Sequence, residues 1–306
     1  MKKIIKIAVI NIFLLISVLL LTEFISYKIQ VKKDYSGWAI HTKFFDAYKF
    51  MPVKNFINTY KKMKENPSQD SWFRPDEIKE TLKREIVLLG CSFTFGVGLE
   101  ENETFSKKLS DYTNRSVFNR GIPGCGINHM LYMVKEGLSS KIKNPEQFIY
   151  TFIDAHIYRL YMPASYFHNI LIYYKEKNGH LVEKNDFDIW YWHSYTLRTI
   201  YEGLMYAERI YSQEQEIEFM LLHLLEINKE IKENFPNSKF TVFAYNGKEK
   251  IKIIEKDLRE NGIEIIYLSD LIDKDFEKKP YVLEDDHPSA LAWDTIIPEL
   301  VKKLSL

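Results

Sequence analysis

Cysteine is scarce in this sequence, and neither sign of charge is in excess. The 306 residues include only two cysteines, too few for a disulfide scaffold or for a metal site built from spaced cysteine ligands. Lysine and arginine together number 42, as do aspartate and glutamate, so the formal net charge is zero and no long-range field attracts a polyanion. We therefore expect no nucleic-acid partner.

The histidines and cysteines also lack the spacing of metal sites. His168, His180 and His193 do not stand at ligand intervals, so we predict neither a metal nor a cofactor. Cys91 falls within one motif described below, and Cys125 directly follows another. We expect both to be reduced and buried, with a bridge between them as the alternative in an oxidising compartment.

One long apolar run is present, close to the N-terminus. Residues 4–22, IIKIAVINIFLLISVLLLT, are enough to cross a hydrocarbon core of about 30 Å as a helix. Because Lys2, Lys3 and Lys6 accompany its start, the positive-inside rule places the N-terminus in the cytoplasm. We predict a single-pass membrane anchor over residues 1–28 with the rest of the chain extracytoplasmic; a cleaved signal peptide is the alternative.

Beyond this run, an unpatterned stretch gives way to alternating strands and helices. Residues 29–80 contain three prolines and no clear period, which predicts a linker with short helices. In the domain predicted for residues 81–306, strands are expected at 85–90, 116–119, 147–153, 239–245 and 263–268, and helices at 103–113, 127–140, 214–234, 249–261 and 288–304. This alternation predicts an α/β fold with about five parallel strands, covered by helices on both faces.

An aromatic insertion at residues 157–213 interrupts the predicted domain. It contains two alternating runs joined by Asn178 and Gly179, a pair that tolerates the positive φ angles of a hairpin turn. Tryptophan and tyrosine are dense in the stretch that follows. Because ligands of a parallel sheet lie beyond the carboxyl ends of its strands, the insertion is interpreted as a substrate lid or platform. A helical addition that only completes the core is the alternative.

The first chemical motif directly follows the strand expected at 85–90. The sequence CSFTFG places Ser92 on a turn between a strand and a helix, beside glycine. Backbone N–H groups at a helix start suit the oxyanion that forms when a serine attacks an ester carbonyl. Since serine is a weak nucleophile until a base removes its proton, this interpretation requires a histidine elsewhere.

The candidate base is His287, in the sequence EDDHP just before the last predicted helix. The fold would return this segment to the edge of the sheet that holds the serine. A carboxylate two or three positions earlier, from Asp285 or Glu284, would orient the imidazole and stabilise its protonated form. A helix N-terminus without chemistry is the alternative meaning of this motif.

Taken together, the motifs resemble those of the SGNH, or GDSL, hydrolase family. GCSFTFG is similar to the first block of that family, Gly-Asp-Ser-x-x-x-Gly, with Cys91 in place of the aspartate. NRGIPG, at residues 119–124, matches the second block, Asn-x-Gly-x-x-Gly, and EDDHP resembles the last, Asp-x-x-His. The resemblance covers about residues 85–305 and implies a three-layer α/β/α flavodoxin-like fold.

The resemblance also implies a role for each residue of the site. Ser92 would be the nucleophile and His287 the base, and the backbone N–H groups of Ser92 and Gly124 would form the oxyanion hole. Glu284 holds the acid position of the family pattern. We favour Asp285 as the partner of His287, because its shorter side chain resembles the usual aspartate, and Glu284 stays open as the alternative.

The third block of the family, Gly-x-Asn-Asp, is altered in this chain. The corresponding stretch, FIDAHIYR at residues 152–159, lacks the asparagine that would donate to the oxyanion. Asp154 or His156 takes its place. An imidazole N–H can donate a hydrogen bond, whereas an ionised carboxylate opposes the developing charge, so His156 is the predicted third donor.

The sequence therefore predicts an extracytoplasmic, membrane-anchored serine esterase or acyl hydrolase. Its substrate would be an acyl ester, O-acetyl included, of a carbohydrate, a lipid or another small molecule. Two alternatives stay open: a polysaccharide O-acetyltransferase, and a catalytically weak relative that binds glycan or an envelope partner.

Overall fold

The chain is described by a computed structural model. The described residues are 11–26, 74–79, 84–160, 174–177, 180–183, 196, 213–273, 275–276 and 278–306. Most of the predicted linker and of the aromatic insertion lies outside these ranges. The chain divides into two compact units, the first comprising Met1–Phe56, Tyr161–Leu171 and Asn185–Ile210, and the second Ile57–Leu160, Ile172–Lys184 and Tyr211–Leu306.

The first unit contains one described helix, α1, at residues 11–26. Eleven of its large apolar side chains are between 47% and 69% exposed. Across the ranges that the structure describes, no helix combines the length and the apolar character needed to span a bilayer. The predicted membrane segment began at residue 4, and residues 4–10 lie outside the described part of the chain. The structure does not show the anchor, which stays a prediction.

The second unit contains seven strands, eight α-helices and a short 3-10 helix (Glu101–Glu103) among its described residues. The strands are β1 (Glu85–Gly90), β2 (Ser116–Gly121), β3 (Pro145–Phe152), β4 (Tyr174–Lys177), β5 (His180–Glu183), β6 (Lys239–Ala244) and β7 (Ile263–Tyr267). The helices are α2 (Ser92–Phe95), α3 (Phe105–Thr113), α4 (Ile127–Lys135), α5 (Ala155–Tyr158), α6 (Gln213–Asn234), α7 (Lys248–Glu260), α8 (Leu268–Leu271) and α9 (Ala290–Leu304).

Five of the strands form one parallel sheet in the order β2-β1-β3-β6-β7, which confirms the predicted α/β fold. From β1 the chain adds β2 on one side, and it then adds β3, β6 and β7 in turn on the other side of β1. Because such crossovers are right-handed, the connecting helices fall on opposite faces, which gives three layers. The point where the direction reverses, at the carboxyl ends of β1 and β3, is where such sheets bind ligands.

The remaining strands, β4 and β5, pair antiparallel and confirm the predicted hairpin. Its turn residues, Asn178 and Gly179, lie outside the described residues.

On one face of the sheet, α3 packs against α9. Phe105 of α3 stacks on Trp293 of α9 with ring centroids 4.4 Å apart and an angle of 7° between the planes. Both side chains are fully buried, so this pair ties the last helix to the layer beside the Ser92 turn.

Residues 74–79, which we name the strap, run along the free edge of β2. Glu77 and Val117 exchange two backbone hydrogen bonds of 3.0 and 2.8 Å as an antiparallel bridge. Asp76 pairs with Arg120 of β2 at 2.6 Å, and both side chains are buried. The predicted linker extended to residue 80, whereas in the structure this part of it belongs to the sheet edge.

Candidate active site

Ser92 is the first residue of α2, at the carboxyl end of β1. The helix is one turn long and ends at Gly96, whose φ of 83° lies in the left-handed region that favours glycine. The Ser92 carbonyl accepts hydrogen bonds from the N–H groups of Gly96 (2.9 Å) and Val97 (3.1 Å). Gly90, just before the turn, leaves no room for a side chain, since a Cβ there would lie 2.1 Å from Thr94 Oγ1.

Asn119, the first residue of the second motif, fastens this turn to β2. Its Nδ2 donates to the Thr94 carbonyl (2.9 Å) and to Ser106 Oγ (3.0 Å), and its Oδ1 accepts from the Gly121 N–H (3.0 Å). Gly121 lies directly under α2, because a Cβ on it would come within 2.5 Å of the Phe95 nitrogen. The Asn-x-Gly pattern is thus explained by packing beneath the serine.

His287 lies in a tight turn before α9. The Leu283 N–H donates to the His287 carbonyl (2.8 Å), and Asp286 adopts a φ of 64° at the tip of the turn. This shape folds Asp285 back over the imidazole, with Oδ2 3.0 Å from His287 Nδ1. The Glu284 side chain is 95% exposed and lies 3.8 Å from Lys279. Of the two predicted acids, the structure places Asp285 against His287 and Glu284 away from it.

The two motifs meet through Phe93, the residue after Ser92. The Phe93 and His287 rings lie with their centroids 5.3 Å apart, and Phe93 also contacts Tyr245 edge-on at 5.2 Å. Both Ser92 and His287 are 6% exposed. The segment 92–93 and the His287 turn therefore lie side by side at one edge of the sheet.

The electrostatic surroundings keep His287 able to accept a proton. Burial lowers the pKa of His287 below its ordinary value, and the charge of Arg159 lowers it further, while Asp285 opposes both effects. Within the described residues, neither ring nitrogen of His287 has a hydrogen-bond partner of good geometry, although Nδ1 lies 3.0 Å from Asp285 Oδ2. A neutral imidazole with a free nitrogen is what a general base requires near neutral pH.

Gly124, the predicted oxyanion donor, lies in the loop after β2 with a φ of 78°. Hydrogen bonds hold this loop at both ends: the Ile122 N–H donates to the Gly90 carbonyl (3.0 Å), and the Cys125 N–H donates to the Ile122 carbonyl (3.1 Å). Since β1 and β2 are neighbours, Ser92 and Gly124 follow adjacent strand ends. Their role in an oxyanion hole stays a prediction.

His156, the predicted third donor, is placed differently from that prediction. Its ring is fully buried, stacks on Tyr150 with centroids 5.4 Å apart, and has Nδ1 2.5 Å from Tyr150 Oη. Burial lowers the pKa of His156 well below its ordinary value, and Arg159 and His129 add to this effect. A neutral side chain with no exposed surface cannot contact a substrate, so His156 is a core histidine in this conformation.

Asp154, the other residue considered for that place, is tied to the neighbouring strand end. Its N–H donates to Asn246 Oδ1 (2.7 Å), and its Oδ1 lies 2.9 Å from Lys250 Nζ. The ion pair balances the carboxylate charge that would oppose an oxyanion. The asparagine of the family pattern has no counterpart at this position of the chain.

Two arginines near the site were not predicted from the sequence. Arg159, 4% exposed, donates from Nη1 to the Cys125 carbonyl (2.8 Å), one residue beyond Gly124. Arg74 of the strap donates to the carboxyl end of α2. The Arg-Pro-Asp sequence at 74–76 lies within the stretch predicted to be a linker. Its position beside the site follows only from contacts with residues distant in sequence.

Both cysteines are free and buried, as expected. Burial raises the pKa of Cys125 well above its ordinary value, so this thiol is held protonated. No cluster of three metal-ligating side chains occurs within the described ranges.

The fold and site together define an α/β protein with a serine, a histidine and an aspartate at the switch point of a parallel sheet. No protein-family model and no curated protein matches the chain. Solved structures with a similar fold include three esterases or lipolytic proteins.

The first is a carbohydrate esterase (14% identity, TM-score 0.48, 73% of this chain and 65% of that chain). The second is a member of the lipolytic protein G-D-S-L family from Veillonella parvula (11% identity, TM-score 0.42, 72% and 98%). The third is an acetyl xylan esterase from Butyrivibrio proteoclasticus (10% identity, TM-score 0.44, 72% and 63%). The chain spans slightly less than two thirds of the first and third of these proteins. Likenesses this distant concern the arrangement of strands and helices, and the reaction must be inferred from the site itself.

Proposed function

We propose that the protein is a serine esterase that hydrolyses an acyl ester. The observation that carries this proposal is the Asp285–His287 pair beside the Ser92 turn, at the switch point of the sheet. A carboxylate 3.0 Å from Nδ1 orients the ring so that Nε2 faces away from it and can take a proton.

In the proposed reaction, Ser92 Oγ attacks the ester carbonyl while His287 Nε2 removes the hydroxyl proton. Asp285 stabilises the imidazolium that forms. The backbone N–H groups of Ser92 and Gly124 stabilise the oxyanion of the tetrahedral intermediate. His287 returns the proton to the departing alcohol, and water then hydrolyses the acyl-enzyme by the same steps.

We further propose an acyl ester of a carbohydrate or lipid as the substrate, O-acetyl groups included, outside the cytoplasm. Two features support this location and substrate class. The apolar N-terminal run includes α1, whose large apolar side chains are exposed, as suits a helix that contacts lipid. The aromatic residues of the insertion suit stacking on sugars or packing against acyl chains.

A second function, binding by a catalytically weak relative, is favoured by one observation. Where the family pattern has a donating asparagine, this chain has Asp154, held in an ion pair with Lys250. With one donor fewer, acylation would be slow and a bound ester would persist.

Covalent labelling tests the proposal directly. The full chain in detergent is treated with a fluorophosphonate probe, and p-nitrophenyl acetate turnover is measured alongside. We expect the wild type to label once and to turn over ester, and Ser92→Ala and His287→Ala to lose both activities. A wild type that neither labels nor exceeds the two variants in turnover would contradict the esterase and favour the binding protein.

A further inference from the structure

We propose that Arg74 is a positioning residue that holds the Ser92 turn in its reactive shape. The proposal rests on the esterase function proposed above and adds to it a residue that does not touch the substrate.

The Arg74 guanidinium donates three hydrogen bonds to the segment after Ser92. Its Nε donates to the Phe95 carbonyl (3.1 Å), and its Nη2 donates to the carbonyls of Gly96 and Leu99 (2.8 Å each). The guanidinium also lies over the Phe95 ring, 4.7 Å from its centroid. The Arg74 side chain therefore contacts three backbone carbonyls and one aromatic ring.

These contacts matter because α2 is a single turn and cannot be stable alone. The last carbonyls of a helix have no hydrogen-bond donors within the helix. A single turn also forms too few hydrogen bonds to offset the entropy cost of helix nucleation. Gly96, which Arg74 holds, donates its own N–H to the Ser92 carbonyl (2.9 Å). The position of Arg74 is thus transmitted to the backbone of Ser92 through one intervening residue.

The strap fixes Arg74 from the other side. Asp76, two residues on, is buried in its ion pair with Arg120, and Glu77 is bonded to the backbone of Val117. Both partners belong to β2. Arg74 consequently joins the turn after β1 to the outer edge of the sheet. A lysine would keep the charge but lacks the planar fork that reaches several carbonyls at once.

The experiment compares Arg74→Met and Arg74→Lys with wild type and with Lys79→Ala. Lys79 is the matched control, because it lies on the same strap and its side chain forms an ion pair with Asp111 on the protein surface. For each full-length protein we would measure the rate constant of fluorophosphonate labelling, kcat and KM for p-nitrophenyl acetate, the pH profile and Tm.

We expect the labelling rate constant and kcat of Arg74→Met to fall together by about 100-fold, as misplacement of a reacting group by about 1 Å does. KM and the midpoint of the pH profile should stay at their wild-type values, because neither the binding surface nor His287 is altered. Arg74→Lys should show a smaller loss in the same two rates, and Lys79→Ala none.

Wild-type rates in Arg74→Met, with only a lower Tm, would assign Arg74 a purely structural role and overturn the proposal. A rise in KM with an unchanged labelling rate constant would overturn it as well. If Arg74→Met does not fold, Arg74→Lys decides by the same criteria. Failure of the wild type to label would instead refute the esterase function, and the role of Arg74 with it.

Discussion

The pairing of Asp285 with His287 gives the sharpest prediction of the structure. Replacing Asp285 with asparagine removes the charge that stabilises the imidazolium and leaves the size of the side chain unchanged. Glu284→Gln is the matched control, since it removes an equal charge one residue earlier from a side chain that is 95% exposed.

The expected size of the effect follows from the distance. For unit charges at the observed 3.0 Å, Coulomb's law gives about 1.4 kcal/mol at the dielectric constant of water and about 5.5 kcal/mol at a value typical near a protein surface. The Asp285 side chain is 54% exposed, so solvent screens the pair substantially. We therefore expect the lower part of this range, about 1.4 to 2.8 kcal/mol, or about a 10- to 100-fold loss of rate.

The assay is kcat/KM for p-nitrophenyl acetate near pH 7.5, with fluorophosphonate labelling as a second measure of Ser92 reactivity. Asp285→Asn should lose about 10- to 100-fold in both measures, and Glu284→Gln should match the wild type. Equal losses in the two variants, or a loss in Glu284→Gln alone, would refute the assignment of the acid.

Three further predictions follow from neighbouring contacts. Arg159→Met removes a cation that lowers the pKa of His287, so the protonated form of His287 is favoured in the variant. The acid limb of the pH profile of kcat/KM should therefore move to higher pH. An unchanged or lower midpoint of that limb would contradict this prediction. Asn119→Ala leaves the buried Thr94 carbonyl and the Gly121 N–H without their hydrogen-bond partner. The free energy of unfolding, measured in urea, should fall by about 2 to 4 kcal/mol. A loss below about 1 kcal/mol would show that water or a local shift replaces these hydrogen bonds. Gly121→Ala places a Cβ against the backbone of α2. This variant should lose about 1 to 3 kcal/mol in the free energy of unfolding, and labelling of Ser92 should slow. Full activity would mean that α2 moves without consequence.

Periodicity and local motifs predicted most of the fold. The five parallel strands confirm the strands expected from short apolar runs, and β1 has the predicted bounds of 85–90. The Asn-Gly pair correctly indicated the β4–β5 hairpin. These features depend on residues near one another in sequence, where the pattern of burial is directly visible.

The features that sequence reasoning missed depend on contacts across the fold. Arg74 and Arg159 carry no motif; the partners of Arg74 lie 21 to 25 residues away and that of Arg159 lies 34 residues away. His156 could be placed near the correct strand end, but its direction, inward onto Tyr150, follows from the packing of β3. Sequence reasoning favoured Asp285 over Glu284, and the turn at Asp286, whose positive φ is uncommon outside glycine, places Asp285 against His287.

The strap also determines how far the chain can be shortened for crystallisation or expression. A deletion that ends at residue 80, where the sequence suggests the domain begins, would remove Asp76 and leave Arg120 in the interior without that counter-ion. It would also strip the outer edge of β2, and an uncovered strand edge recruits other strands. Such a truncated protein is expected to aggregate, and its inactivity would say nothing about the chemistry of Ser92. The shortest informative version of the protein begins upstream of Arg74.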